Sequence, residues 1–185
     1  MAGVCAHAFI TKQQAGGAVA TAKHFPGLGS ASSSEDTDEV PVTLNVSLDD
    51  IRSIDEVPYK SAIDAGLSMV MPSWAVYPSY DANFPSGLSS KWIQNELRGR
   101  LGFTGVTVSD AIEAGALEAF GDIPNRAVLA TRAGMDIILT GQNLTRGLVV
   151  VQELASQLSS GSLDQDAFQE STDRILTLRK KLTTG

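Results

Sequence analysis

This sequence predicts an α/β fold built on a parallel sheet. Three observations carry that reading. Helical and extended patterns alternate four times along the chain before closing in helices. The extended segments read as continuous apolar runs, as strands do when both faces are covered. And no linker or low-complexity stretch beyond SASSS divides the 185 residues, so the whole chain, 1–185, forms one domain.

Residues 3–15 predict a first helix, stopped near Gly16-Gly17, and AVATAKH at 18–24 a short strand. Cys5, flanked by Val4, Ala6, Ala8 and Phe9, suggests a buried helix position. The next stretch, AKHFPGLGSASSSEDTDEVP at 22–41, predicts a polar loop. Ser47 with Asp50 resembles a capping box, and Ile51, Ile54, Val57 and Ile63 then give a helical stripe that Pro58 breaks or kinks. LSMVMP predicts the second strand, and WAVYPSYDANFPSG, with its two prolines, a long loop. Ser89 or Ser90 caps a helix over KWIQNELRGRL, Gly102 ends it, and GVTVSD is the third strand. AIEAGALEAF predicts a helix, Pro124 opens another over NRAVLATRA, and Gly134 stops it. MDIILTG is the fourth strand, and two helices near 143–159 and 164–182 follow, the second with Phe168, Ile175, Leu178 and Leu182 on one face.

Composition narrows the function. The 43% apolar and 19% charged content is that of a globular chain. A net charge of -7 speaks against a nucleic-acid partner. No apolar run reaches the ~20 residues that span a bilayer, so no membrane role is expected. The first residues lack a secretion-signal pattern, so the default compartment is the cytoplasm. One cysteine and two distant histidines offer no metal site, and no cofactor is expected.

Each strand ends in something polar or conformationally special: Lys23-His24, Met71-Pro72-Ser73-Trp74, Ser109-Asp110 and Thr140-Gly141-Gln142-Asn143. Both a closed barrel and an open parallel sheet gather ligands beyond the carboxyl ends of their strands. Asp110 follows Val106, Thr107 and Val108, so it stands where a buried strand emerges. Two readings compete there: a cap for a helix starting at Ala111, or a partly buried carboxylate nucleophile. His24 by itself reads as a hydrogen-bonded structural histidine, whereas Lys23 at a strand end calls for an acidic partner or a ligand. Glu35, Asp36, Asp38 and Glu39 read by default as a solvated acidic loop. Acids following Gly27-x-Gly29 make phosphate binding there a weak reading. Trp74 and Tyr77 either stack on a sugar ring or cover the core.

In KHFPGLG, VMPSWAVYP and GVTVSDAIEAGAL, taken in order and spacing, the chain resembles glycoside hydrolase family 3, most of all its bacterial β-N-acetylhexosaminidase branch. The resemblance runs from about Val4 to about Leu182. It implies a catalytic domain of the TIM-barrel type and a retaining mechanism. It also implies that Lys23 and His24 bind the sugar, with Trp74 as a further candidate contact, and that Asp110 of VSDA is the nucleophile. The loop from Ser30 to Glu39 matches a mobile loop that delivers the general acid/base. That branch carries Asp-x-His on the loop, where this sequence has Asp36-Thr37-Asp38. Asp38, Asp36 or Glu35 is then the candidate acid.

The resemblance further implies that four strands supply only the second half of an eight-stranded barrel. The expected fold is therefore parallel (β/α) units forming about half of a TIM-like barrel, with two C-terminal helices. Such a half exposes edges and apolar surface, which predicts self-association or a companion chain that completes the barrel. The expected function is hydrolysis of terminal β-linked N-acetylglucosamine or a related sugar. The alternative is a non-catalytic remnant that binds sugar or a partner protein.

Overall fold

The computed structural model describes residues 2–141 and 144–183. Among them, β1 (Thr21–Phe25), β2 (Met69–Pro72), β3 (Val106–Ala111) and β4 (Ile137–Leu139) form one sheet in the order β1-β2-β3-β4, all neighbours parallel. Parallel neighbours require a crossover between each pair. The first crossover runs through α2 (Leu48–Asp50), a π-helical turn at Ile51–Asp55 and α3 (Val57–Asp64). The second is the π-helical segment Lys91–Arg100, and the third is α4 (Ile123–Ala133). Helix α1 (Ala2–Ala15) packs beside α3 at one end of the sheet, and α5 (Leu144–Ser159) beside α4 at the other. The last helix, α6 (Gln165–Thr183), returns to β3. Four parallel strands in chain order, with helices outside, are part of a TIM-like barrel.

Local chemistry sets the boundaries. Ser47 accepts the amide of Asp50 and caps α2. Ser89, the second of the two expected alternatives being Ser90, accepts the amide of Trp92 at the start of the Lys91–Arg100 segment. Asp122 accepts the amide of Asn125, Pro124 sits in the first turn of α4, and Gly134 ends that helix in the left-handed region at φ 105°. Two apolar clusters fill the space between sheet and helices. Phe25, Ile51, Tyr59, Val70, Trp92 and Leu97 belong to the first. Trp74, Ile112, Leu117, Ala127, Met135 and Val150 belong to the second.

At the amino end of β4 the buried Asp136 collects Arg98 (2.8 Å), Arg174 (2.9 Å) and the Thr107 amide (2.9 Å). One carboxylate thereby ties the Lys91–Arg100 segment, α6 and β3 together. In barrels this end carries stability, and the opposite end carries chemistry.

Four expectations need correction. AIEAGALEAF does not form a regular helix: β3 runs through Ala111, and a 3₁₀ turn spans Gly115–Phe120. The reason is that the Gly115 and Ala116 amides donate to the carbonyls of Asp38 and Thr37, not back along their own chain. The 51–65 stripe is split at Glu56, Pro58 lies in the first turn of α3, and Ile54 and Val57 are exposed. Cys5 is exposed too, because α1 buries only Ile10 fully and leaves Cys5 along an open cleft. Leu182 lies exposed, whereas Phe168, Ile175 and Leu178 are half-buried as the stripe predicts. Gln142 and Asn143, expected at the end of the fourth strand, lie outside the described residues.

Candidate active site

The polar strand ends meet at one end of the sheet. Lys23 pairs in register with Met71, and Val70 with Thr107, so Lys23, Met71 and Val108 share a face by strand alternation. Asp110, two residues beyond Val108, emerges on that side. Register shifts occur between Lys23 and Phe25 in β1 and between Val108 and Ala111 in β3. Each irregularity contains a candidate site residue, His24 in one strand and Asp110 in the other. Bulges of this kind re-aim side chains.

Here they aim two side chains at each other: His24 Nε2 lies 3.1 Å from Asp110 Oδ2. The other carboxylate oxygen, Oδ1, accepts the amide of Ala111 at 2.8 Å. The side chains are 24% and 20% exposed, open enough for a ligand to reach and closed enough to strengthen the pair. The hydrogen bond from His24 holds the Asp110 carboxyl below the ordinary carboxylate range. The Ala111 amide and the charges of His24 and Lys23 act in the same direction, against the opposing effect of burial. Asp110 is therefore an ionised carboxylate at neutral pH, and no helix begins at Ala111 for it to cap.

Ser109 and Tyr77, together with Glu113, which the sequence did not single out, hold this arrangement. The buried Ser109 hydroxyl donates to the Asp110 carbonyl at 2.7 Å and accepts the Leu139 amide at 2.8 Å. Glu113 accepts the Gly141 amide at 3.1 Å, joining the loops that follow β3 and β4. Tyr77 is fully buried and donates its hydroxyl to the Gly27 carbonyl at 2.7 Å, fixing the turn after β1. The adjacency of Ser109 to Asp110 is visible in the sequence, but its partner on β4 is not.

Trp74 does not offer a ring face to a ligand. It is 1% exposed, lies against Gly87, where a Cβ would collide with the ring, and donates its indole N–H to the Ala111 carbonyl at 3.1 Å. The side chain supports the turn beyond Asp110 from below. The reading that aromatic loop residues cover the core holds for Trp74 and Tyr77 alike.

The acidic loop is docked, not free. Thr37 is buried, and the carbonyls of Thr37 and Asp38 accept the amides of Ala116 and Gly115. Its acids differ in employment. Glu35 accepts the Ser32 amide at 2.7 Å, which lowers its pKa and makes it a poor proton donor. Asp36 accepts the Asp38 amide at 3.0 Å and shapes the turn. The Asp38 side chain is exposed and has no hydrogen-bond or ionic partner among the described residues.

The model of the glycosyl hydrolase family 3 N-terminal domain matches residues 1–178. An uncharacterized secreted glycosyl hydrolase of Arthroderma benhamiae is 51% identical over 180 residues, covering 97% of this chain and 51% of that protein. A beta-hexosaminidase of Nitrosomonas eutropha is 39% identical over 134 residues, covering 72% of this chain and 38% of that protein. Among solved structures, a glycoside hydrolase family 3 beta-N-acetylglucosaminidase from Paenibacillus matches with a TM-score of 0.89 at 30% identity, covering 94% of this chain and 33% of that one. The chain thus spans about half of the fungal relative's length and less of the bacterial relatives'.

Proposed function

Because this chain belongs to glycosyl hydrolase family 3, we propose that its strand-end cluster is the nucleophile side of a retaining glycosidase site. Asp110 attacks the anomeric carbon, the bond to the leaving oxygen breaks, and a glycosyl ester forms on the carboxylate. Water then displaces the sugar from Asp110. Lys23 and His24 bind sugar hydroxyls or an acetamido group beside it. Asp38 protonates the leaving oxygen and later deprotonates the water, because Glu35 and Asp36 are engaged in shaping their own loop. The beta-hexosaminidase and beta-N-acetylglucosaminidase relatives favour a terminal β-linked N-acetylglucosamine as substrate.

One observation carries this reading: a half-buried carboxylate at the carboxyl end of a barrel strand, held ionised by His24 and reached by the charge of Lys23. An aryl β-N-acetylglucosaminide and an aryl β-glucoside, offered to the wild type and to Asp110→Asn, test it. Release of the aryl group that vanishes in the variant is the expected result. Saturable sugar binding that depends on Lys23 but gives no turnover marks a sugar-binding module instead. Turnover that survives Asp110→Asn removes the assignment.

A further inference from the structure

The segment after Asp110 exchanges its hydrogen-bond partners. In a helix running on from Ala111, the Gly115 amide would donate to the Ala111 carbonyl and the Ala116 amide to the Ile112 carbonyl. Both amides are lent to the acidic loop, to the carbonyls of Asp38 (2.8 Å) and Thr37 (3.2 Å). The carbonyls they leave behind need other donors. Two side chains supply them. The Trp74 indole N–H donates to the Ala111 carbonyl at 3.1 Å, which the Ala114 amide shares, and Arg126 Nη1 donates to the Ile112 carbonyl at 3.3 Å. Arg126 Nη1 also reaches the Ala114 carbonyl at 3.5 Å, and its Nε donates to the Gly121 carbonyl at 2.7 Å. One side chain of α4 therefore spans the turn from 112 to 121.

Arg126 is buried, and among the described residues no carboxylate pairs with it. Taking a guanidinium out of water without a counter-charge is costly, and an apolar side chain would fill the same space without that cost. Core packing thus gives no reason for an arginine here. Its planar fork, with donors pointing in two directions at once, matches the carbonyls of a segment that is bent and not helical. We infer that Arg126 is a positioning residue: it holds the 111–116 turn open, keeps the Gly115 and Ala116 amides on the acidic loop, and so fixes Asp110 and Asp38 relative to each other. Asp110 is tied to this turn through the Ala111 amide on its Oδ1, and Asp38 through the carbonyl that Gly115 takes. The inference rests on the reading that these two carboxyls serve one site.

Arg126→Met keeps the length of the side chain and removes its donors, and Trp74→Phe keeps a ring and removes the indole N–H. Cleavage by a glutamate-specific protease at Glu35 and Glu39 measures release of the loop, and hydrogen exchange in β2 and β3 shows whether the sheet stays intact. Both variants are expected to be cut about tenfold faster or more, with the sheet amides still protected. Arg126→Lys, which keeps one donor group, is expected to fall between Arg126→Met and the wild type. Where Arg126→Met does not fold, Arg126→Lys and Trp74→Phe decide the matter. Arg132→Met removes an exposed arginine from the same helix and is expected to leave the loop as it is. The Asp110 carboxyl, followed by ¹³C NMR, is expected to take up its proton at higher pH in Arg126→Met than in the wild type. An arginine that only supports the fold would leave that titration unmoved. Cleavage unchanged in the variants, or a rise in exchange uniform over sheet and loop, would overturn the inference. None of these measurements needs turnover, so a released loop in a chain whose wild type hydrolyses neither aryl glycoside counts against the glycosidase reading alone.

Discussion

Replacing Gly115 with Ala tests whether the acidic loop is held in place by the turn beyond Asp110. The added Cβ would lie 3.1 Å from the Glu39 Cα and closer still to the Glu39 carbonyl, with no flexible side chain to yield. Gly115 does not have a positive φ, so the substitution is steric and not a matter of backbone conformation. Forcing such a contact costs about 1–3 kcal/mol if the structure absorbs it. The alternative is to undock the loop, losing the two backbone hydrogen bonds from Gly115 and Ala116. Those contribute roughly 0.5–1.5 kcal/mol each. The two routes converge on about 2 kcal/mol, which for a chain of this size corresponds to a fall of roughly 4–8 °C in Tm. Because the loop can leave without global unfolding, hydrogen exchange is the more direct assay. The amides at positions 115 and 116 are expected to exchange about 30-fold faster, while those of β2 and β3 keep their protection. Unchanged exchange at both positions, together with an unchanged Tm, would refute the claim that this turn carries the loop.

Three other outcomes follow from the charged groups. Asp136→Ala leaves Arg98 and Arg174 facing an emptied buried site, and the expected loss is about 3–5 kcal/mol in urea unfolding. Glu170→Gln, which removes only an exposed partner of Arg174, is expected to cost about 0–1 kcal/mol in the same assay. The depressed pKa of Asp110 gives a stability term of definite sign. It is fully present above the unfolded carboxylate value of about 3.9 and is lost as pH falls through the lower folded value. The difference in unfolding free energy between wild type and Asp110→Asn is therefore expected to shrink as pH falls below about 4, where the folded-state carboxyl takes up its proton. A difference that stays constant through that acid range would refute it.

The parallel sheet and the site were legible because they are written in local terms. Apolar runs that stop at Lys23-His24 and Ser109-Asp110 mark both a strand and the polar end where His24 and Asp110 meet. What stayed hidden depends on partners far along the chain. Nothing in AIEAGALEAF says that two of its amides belong to the carbonyls of Thr37 and Asp38, and without that knowledge a helix is the natural reading. Trp74 in a polar loop reads as an available ring until Ala111 and Gly87 are known to receive it. Asp136 sits in MDIIL with only a hint, a lone acid before an apolar strand, and its two arginines lie 38 residues away on either side. Cys5 differs for the opposite reason: its helix neighbours are apolar, but α1 buries only Ile10 fully and leaves Cys5 exposed along a cleft.

The geometry of the His24–Asp110 pair connects the open edge to the chemistry. Neighbouring strands lie about 4.8 Å apart, so β1 and β3 are separated by roughly 10 Å across β2. A 3.1 Å contact between side chains of β1 and β3 must therefore pass over the end of β2, which stops at Pro72. The irregularities in β1 and β3 lean the two side chains together above that end. His24 also lines the cleft along the free edge of β1. The side chain that holds Asp110 ionised is thus the same one that borders the cleft along β1.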